Sequence, residues 1–200
     1  MARRQAADYD LKREGILAVA ARLFAQRGFS ESSVSDLAAA CDMSKSLLYH
    51  YYSSKEEILY AVMSAHLEAL EGVLEEIVGP SSDLSQAFEL VIRRFLDSYA
   101  GASDHQKVLL NQLANLPPDK RSIIVCKQRK IVDTVQSMVV ALYPKTALEP
   151  GRARAQTMLI FGMINWTHNW MNSKGPLKTE DIAEMVLDLV VPERAAAQRS

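Results

Sequence analysis

Residues 32–57 read "SSVSDLAAACDMSKSLLYHYYSSKEE", and the fold turns on how this stretch is parsed. Ser33, followed three residues later by Asp36, has the spacing of a helix-opening capping box. Leu37 and Ala38 to Ala40 then supply the inward face of a short helix. "CDMS" interrupts it, and Ser44 caps a third helix of barely two turns, "KSLLYHYY". Ser54 with Glu57 repeats the capping pattern and opens a long fourth helix through "KEEILYAVMSAHLEALEGVLEEIV". Two short helices separated by a tight turn form a helix-turn-helix. One question remains in the stretch: why Tyr49, His50, Tyr51 and Tyr52 stand beside Lys45 and Lys55. A core has no need of the hydroxyls, and a solvated face has no need of the rings.

Outward from this stretch, helical periodicity continues. Upstream, "LKREGILAVAARLFAQRG" places Ile16, Ala20, Leu23 and Phe24 on one face, and Gly28 closes the helix. Downstream, the fourth helix ends at "GPSS", which sets a domain boundary near residue 80. Residues 84–100 carry Leu84, Phe88, Val91, Ile92, Phe95 and Tyr99 at helical spacing. Residues 104–115, 119–142 and 151–173 read as three further helices. Thr179 caps a last one through Val191, with Glu180 and Asp181 where the helix dipole favours acids. The expectation is an all-α chain of about nine helices. Residues 1–56 form an N-terminal arm and a three-helix DNA-binding domain, with the helix-turn-helix at about 33–52. Residues 57–79 are a connecting helix, 80–192 a second helical domain, and 193–200 a frayed tail.

Composition narrows the function. Net charge is −1, so no global basic field announces a polyanion and any such site is local. Cys41 and Cys126 lack metal-ligand or redox spacing, which points to reduced thiols in a cytoplasmic protein. The charged start "MARRQAADYD" is not read as a signal peptide, and no apolar run reaches membrane-spanning length. His50, His66, His105 and His168 are dispersed, without cysteine or carboxylate at metal-binding spacing, so neither metal nor cofactor is expected. No nucleophile–base pair or phosphate loop appears, which argues against an enzyme.

The chemistry of residues 44–55 fits nucleic acid. A short helix enters the major groove when its outer face is small and polar. Ser44, Lys45 and Ser46 lie at its N-terminus, where free backbone N–H groups favour phosphate or base edges. Leu48 points back to pack on the preceding helix. Tyr49, Tyr51 and Lys55 offer hydroxyl and ammonium donors, which fix register on phosphates rather than read sequence. The competing reading makes the tyrosines inter-helix packing. Arg3 and Arg4 are either minor-groove contacts or a solubilising tail.

The span "ILAVAARLFAQRGFSESSVSDLAAACDMSKSLLYHYYSSKEEIL" resembles the DNA-binding domain of the TetR family of transcriptional regulators. The matching elements are Ala-x-x-Leu-Phe-x-x-x-Gly-Phe, Met-Ser-Lys, Leu-Tyr-His-Tyr-Tyr and Ser-Lys-Glu-Glu. The resemblance implies a phosphate contact at Ser33 and base-facing positions at Lys45, Ser46 and Leu47. It implies backbone contacts and supporting roles at Tyr49, His50, Tyr51 and Lys55. Where the family often has Gly in the turn, this chain has Asp42, which tolerates a left-handed backbone better than most residues. Leu47 replaces a frequent Thr, and either touches a thymine methyl or is buried.

In the second part, "TMLIFGMINWTHNWM" sets Leu159, Met163, Trp166 and Trp170 on one stripe and Phe161, Ile164 and His168 on another. A helix apolar on nearly all sides is covered twice, by its own core and by a partner. The last helix, with Ile182, Met185, Val186, Leu189 and Val190, joins it. A homodimer interface is therefore expected at Leu159, Met163, Trp170, Met185 and Leu189. The resemblance agrees, since the family dimerises through its last two long helices. A two-fold dimer implies a palindromic double-stranded operator.

The C-terminal helices also resemble those of family members that respond to acyl-CoA thioesters. That resemblance implies an acyl or aryl group among Phe88, Ile92, Phe95, Tyr99, Phe161 and Trp166, with Asn165 lining the same pocket. Coenzyme A phosphates would take Arg129, with Lys130, Arg152 and Arg154 as further candidates. The competing reading of "CKQRK" is a solvated helix face. The expected function is a ligand-released repressor. The alternatives are a regulator sensing drug-like hydrophobic compounds, one gated by oxidation of Cys41, and, from another class, an all-α enzyme or interaction module.

Overall fold

The computed structural model describes residues 2–79, 83–172 and 174–191, with side chains from residue 8 onward except at 147. Among them are nine α-helices, two short 3-10 helices, and no strand: α1 (Ala2–Arg27), α2 (Val34–Ala40), α3 (Lys45–Tyr51), α4 (Lys55–Ile77), α5 (Leu84–Gly101), α6 (Ser103–Asn111), α7 (Pro118–Leu142), α8 (Arg152–Trp170) and α9 (Thr179–Val190). None of these helices is long and apolar enough to cross a membrane. The tail 193–200 and the side chains of Arg3 and Arg4 lie outside the described residues.

The chain divides into two compact units. The first holds residues 1–67 and 104–126, and the second holds 68–103 and 127–200. The division falls inside α4 and α7 rather than at the Gly79–Pro80 break, because residues 104–126 pack with the N-terminal helices. The Phe29 backbone N–H donates to Gln112 Oε1 at 3.3 Å. Lys120 pairs with Glu57 and lies 5.1 Å from the Tyr60 ring. His66 Nε2 and Gln106 Oε1 meet at 2.7 Å in the interior.

Local chemistry sets the elements of the first unit. Ile16, Ala20, Ala21 and Phe24 of α1 are buried, and Leu37, Leu48, Ile58 and Leu59 close over them. Gly28, at φ 87°, turns the chain out of α1. Ser33 Oγ accepts the Asp36 N–H at 3.1 Å, while the Asp36 carboxylate accepts the Ser33 N–H at 2.8 Å, completing the capping box. The α2 exit is a Schellman turn: the Met43 N–H reaches Ala38 O at 3.0 Å and the Asp42 N–H reaches Ala39 O at 3.1 Å. Asp42 takes the left-handed position at φ 53°.

Four boundary or face expectations change. Ala39 and Ala40 are exposed, so the inward face of α2 is Leu37 and Ala38 alone. Helix α1 begins at Ala2 rather than near residue 11, so the N-terminal arm is helical backbone. Lys178, not Thr179, is the N-cap of α9, its N–H bonded to Asp181 at 2.7 Å. At α4 the Ser54 hydroxyl accepts the Glu57 N–H at 3.1 Å, but the Glu57 carboxylate is held by Lys120.

In the second unit α5 packs against α8 and α9. Its inner face is Phe88, Val91, Ile92, Phe95 and Tyr99, all buried. Arg93 bonds Glu184 of α9 at 2.5 Å at the rim.

Candidate nucleic-acid interface and effector region

The α2–turn–α3 hairpin presents one side to solvent. Leu48 is fully buried, which fixes the rotation of α3. Lys45, Ser46, Leu47, Tyr49 and His50 then face outward. Leu47 is 45% exposed, which selects the surface reading of that residue over burial. Ser44 is the N-cap, its Oγ accepting the Leu47 N–H at 3.1 Å. That leaves the N–H groups of the first turn directed at the approach side. Tyr49 is 49% exposed, whereas Tyr51 is half-buried and Tyr52 buried. Both readings of the tyrosine run therefore apply, to different members: Tyr49 reaches outward, and Tyr51 and Tyr52 pack.

Two expected contacts have other partners. The Ser33 hydroxyl donates to the Asp36 carboxylate at 2.6 Å, and this bond with the Ser33 N–H holds the carboxyl below its usual range. Lys55 Nζ donates to Phe29 O and Ser32 O, both at 2.9 Å, and sits 4.0 Å from the Phe29 ring centroid. Its ammonium staples the α1–α2 loop to the start of α4. The loop is fixed again by the Ser32 hydroxyl on Gly28 O at 2.7 Å. Two of the Lys55 donors are therefore directed at the protein's own carbonyls. Cys41 is half-buried and burial raises its thiol pKa, a poor start for a redox sensor.

Two further residues, outside any sequence motif, stand beside α3. The Tyr9 ring of α1 lies 4.9 Å from Tyr51 and 6.3 Å from His50. The Arg13 guanidinium lies 5.0 Å from the Tyr52 ring, and its bond to that tyrosine raises its pKa. The spacing of Tyr9, Arg13, Ile16 and Ala20 continues the α1 face upstream, which is the signal that would have found them.

In the second unit Phe88, Ile92, Phe95, Tyr99 and Phe161 lie in the interior. All are at most 6% exposed. Phe95 lies 6.1 Å from Tyr99 and 6.3 Å from Phe161, ring to ring. The buried Tyr99 hydroxyl has its pKa pushed well up by desolvation. Trp166 is separate from this cluster: it is 64% exposed. Asn165 is half-buried, and its carbonyl meets His168 Nδ1 at 2.5 Å. The two stripes of α8 part as expected, with Phe161 and Ile164 inside and Leu159 and Trp170 outside. Met163 sits at the border. Helix α9 is two-faced likewise, with Ile182 and Val186 buried and Met185 and Leu189 exposed.

The basic residues are mostly engaged. Lys127 bonds Glu68 at 2.5 Å and Lys130 lies 3.4 Å from Glu71. Arg152 bonds Glu149 at 2.7 Å and Arg154 bonds Asp133 at 2.6 Å. This is the pattern of a charge-laced helix face. Arg129 stands exposed on α7. Among the described residues no group of three or more His, Cys, Asp or Glu is placed to hold a metal ion.

Comparison with known proteins agrees with this geometry. Residues 16–62 match the family described as bacterial regulatory proteins, tetR family, and residues 81–192 match the tetracyclin repressor-like C-terminal domain. A TetR-family transcriptional regulator from Bordetella parapertussis 12822 is 36% identical, superposes with a TM-score of 0.85, and covers 90% of this chain and 93% of its own. AibR in complex with isovaleryl coenzyme A and operator DNA is 26% identical at a TM-score of 0.80, covering 90% of this chain and 98% of its own. The transcriptional repressor KstR2 of Mycolicibacterium smegmatis is 27% identical over 90% of this chain and 89% of its own length. The outward face of α3, the two-domain match and the structural superposition together make this chain a member of the TetR family of transcriptional regulators.

Proposed function

We propose that the chain acts as a homodimeric repressor that binds a palindromic operator and is released by a small effector, an acyl-CoA thioester in the first instance. The observation that carries the DNA-binding part is the orientation of α3. Leu48 is buried while Lys45, Ser46, Leu47, Tyr49 and His50 face solvent. In this reading Lys45, Ser46 and Leu47 meet base edges, and Tyr49 and His50 meet phosphates. Tyr51, Ser33 and Lys55 hold the frame. The homodimer is supported by the outer faces of α8 and α9, where Leu159 is 69% and Leu189 75% exposed. Trp170, Met185, Met163 and Trp166 extend that surface. Apolar area of this kind is costly in water and marks an interface.

The effector part is supported by the aromatic cluster around Phe95 and by the likeness to AibR, whose structure holds isovaleryl coenzyme A. An acyl chain inserts by parting Phe88, Ile92, Phe95, Tyr99 and Phe161, and Arg129 takes a phosphate. A ligand shifts the operator-bound state only by its differential affinity for the two dimer geometries. A hundredfold release needs about 2.7 kcal/mol of coupling. One observation favours a second reading. Lys127, Lys130, Arg152 and Arg154 already hold carboxylates, which suits an uncharged hydrophobic effector.

A mobility-shift titration with a bound operator separates the two. Release by isovaleryl-CoA or a homologue, but not by its free acid or by coenzyme A, supports the thioester. Release by neutral hydrophobic compounds alone supports the second reading. Repression itself is read from a reporter carrying the operator: higher expression when the gene is deleted is expected, and lower expression contradicts it.

A further inference from the structure

Helix α3 is seven residues long, and among the described residues Leu48 is its only buried side chain. A helix of two turns is not stable alone, so its orientation comes from what it touches. Leu48 acts as a pivot near the middle. Beyond it, the C-terminal half is open on one flank: a cleft of about 410 Å³ is lined by Arg13, Tyr49, His50, Tyr51 and Tyr60, among others. What supports that half lies on α1. The Tyr9 ring is tilted 30° on Tyr51 at 4.9 Å and meets His50 edge-on at 6.3 Å. His50 and Tyr51 are themselves 5.6 Å apart at 80°, so the three rings form one cluster. One turn further along α1, Arg13 covers the ring of Tyr52, the buried cap residue that follows α3, at 5.0 Å.

We propose that Tyr9 and Arg13 of α1 are positioning residues that hold the end of the recognition helix at the angle operator reading requires. The proposal rests on the DNA-binding reading above. Phosphate contacts tolerate a helix that rocks about Leu48, because long side chains follow a displaced phosphate. Bidentate and methyl contacts to base edges do not tolerate it. Removing the clamp therefore lowers affinity for the operator while sparing affinity for unrelated duplex. It leaves the number of phosphate contacts, and so the salt slope, unchanged.

The test uses the full-length protein and a duplex that the wild type enriches from a random pool, with a scrambled duplex beside it. Tyr9→Ala is expected to lose roughly tenfold in operator affinity, the scale of one or two lost aromatic contacts. Binding to the scrambled duplex and the salt slope are expected to hold, and Tyr9→Phe to restore the wild-type ratio. Arg13→Gln is expected to move the ratio in the same direction. Tyr9 is peripheral to the Ile16–Ala20–Phe24 core, and Tyr9→Leu carries the same comparison if the alanine variant does not fold. An unchanged operator-to-scrambled ratio in the Tyr9 variants overturns the proposal. So does an equal loss on both duplexes, which would make Tyr9 a general backbone contact, or a salt slope reduced by about one in Arg13→Gln, which would make Arg13 a phosphate ligand instead. A wild type that enriches no sequence overturns the DNA-binding reading as well, and that failure is visible before any variant is made.

Discussion

Replacing Lys55 by methionine removes the ammonium, which sits 4.0 Å from the Phe29 ring centroid, while keeping an unbranched apolar side chain. The ammonium makes two hydrogen bonds of 2.9 Å, to Phe29 O and Ser32 O, in a half-buried position. Bonds to a charged donor are worth more than neutral ones, and the two carbonyls lose this partner when it goes. The expected cost is about 2–3 kcal/mol, less than the sum of two isolated bonds because the two share one donor group. For a chain of this size each kcal/mol lowers the midpoint by roughly 2–4 °C, so thermal unfolding followed by circular dichroism should move down by about 4–12 °C. Protein concentration is matched, because a dimer's midpoint depends on it. Operator affinity falls modestly through loss of order in the loop ahead of Ser33, and the slope of log affinity against log salt stays at the wild-type value. An unchanged midpoint together with a slope reduced by about one would refute the staple and restore Lys55 as a phosphate ligand.

Three shorter expectations follow from other parts of the molecule. Asp42 occupies the left-handed region at φ 53°. Asp42→Ala should cost on the order of 1 kcal/mol in a denaturant titration, while Asp42→Gly is close to neutral; equal costs would contradict the turn argument. Burial lowers the pKa of His66, and that of His105 beside it, from the ordinary 6.5. The unfolded chain then binds more protons than the folded one as pH falls through 6.5. Stability is fully present above that value and is lost on acidification toward the depressed folded pKa. His66→Gln should flatten the fall in stability as pH drops below about 6.5, and an undiminished slope would show that other groups set it. Leu189→Glu places a charge on the exposed outer face of α9. Sedimentation should show monomer with native helix content, and an intact dimer would remove this face from the interface.

Which features could be read in advance follows from their range. The Ser33–Asp36 box, the Ser44 cap, Gly28 after α1 and the left-handed Asp42 are settled within three or four residues of chain. The split of α8 into an inner and an outer stripe follows from the 3.6-residue period. Side chains whose partners come from far along the chain carry no local signal of them. Lys55 meets carbonyls 26 and 23 residues away, and His66 meets Gln106 across 40. Nothing local distinguishes a lysine aimed at phosphate from one aimed at a loop. The start of α1 was hidden because residues 2–10 are mostly polar or alanine and carry little hydrophobic period, although Tyr9 continues the face. Helical spacing sets Trp166 on the outer stripe with Leu159 and Trp170, and its exposure agrees with that stripe rather than with the pocket that the acyl-CoA resemblance implies.

The central claim is that two copies of α3, related by a two-fold axis, read DNA through Lys45, Ser46 and Leu47. Sequencing the duplexes that the purified protein enriches from a random pool tests it most directly. An inverted repeat is expected, its half-sites centred about one helical turn apart, roughly 10–10.5 base pairs or a multiple of it, with enrichment lost in Lys45→Ala. Enrichment of a single asymmetric site, or of no sequence at all, would contradict it.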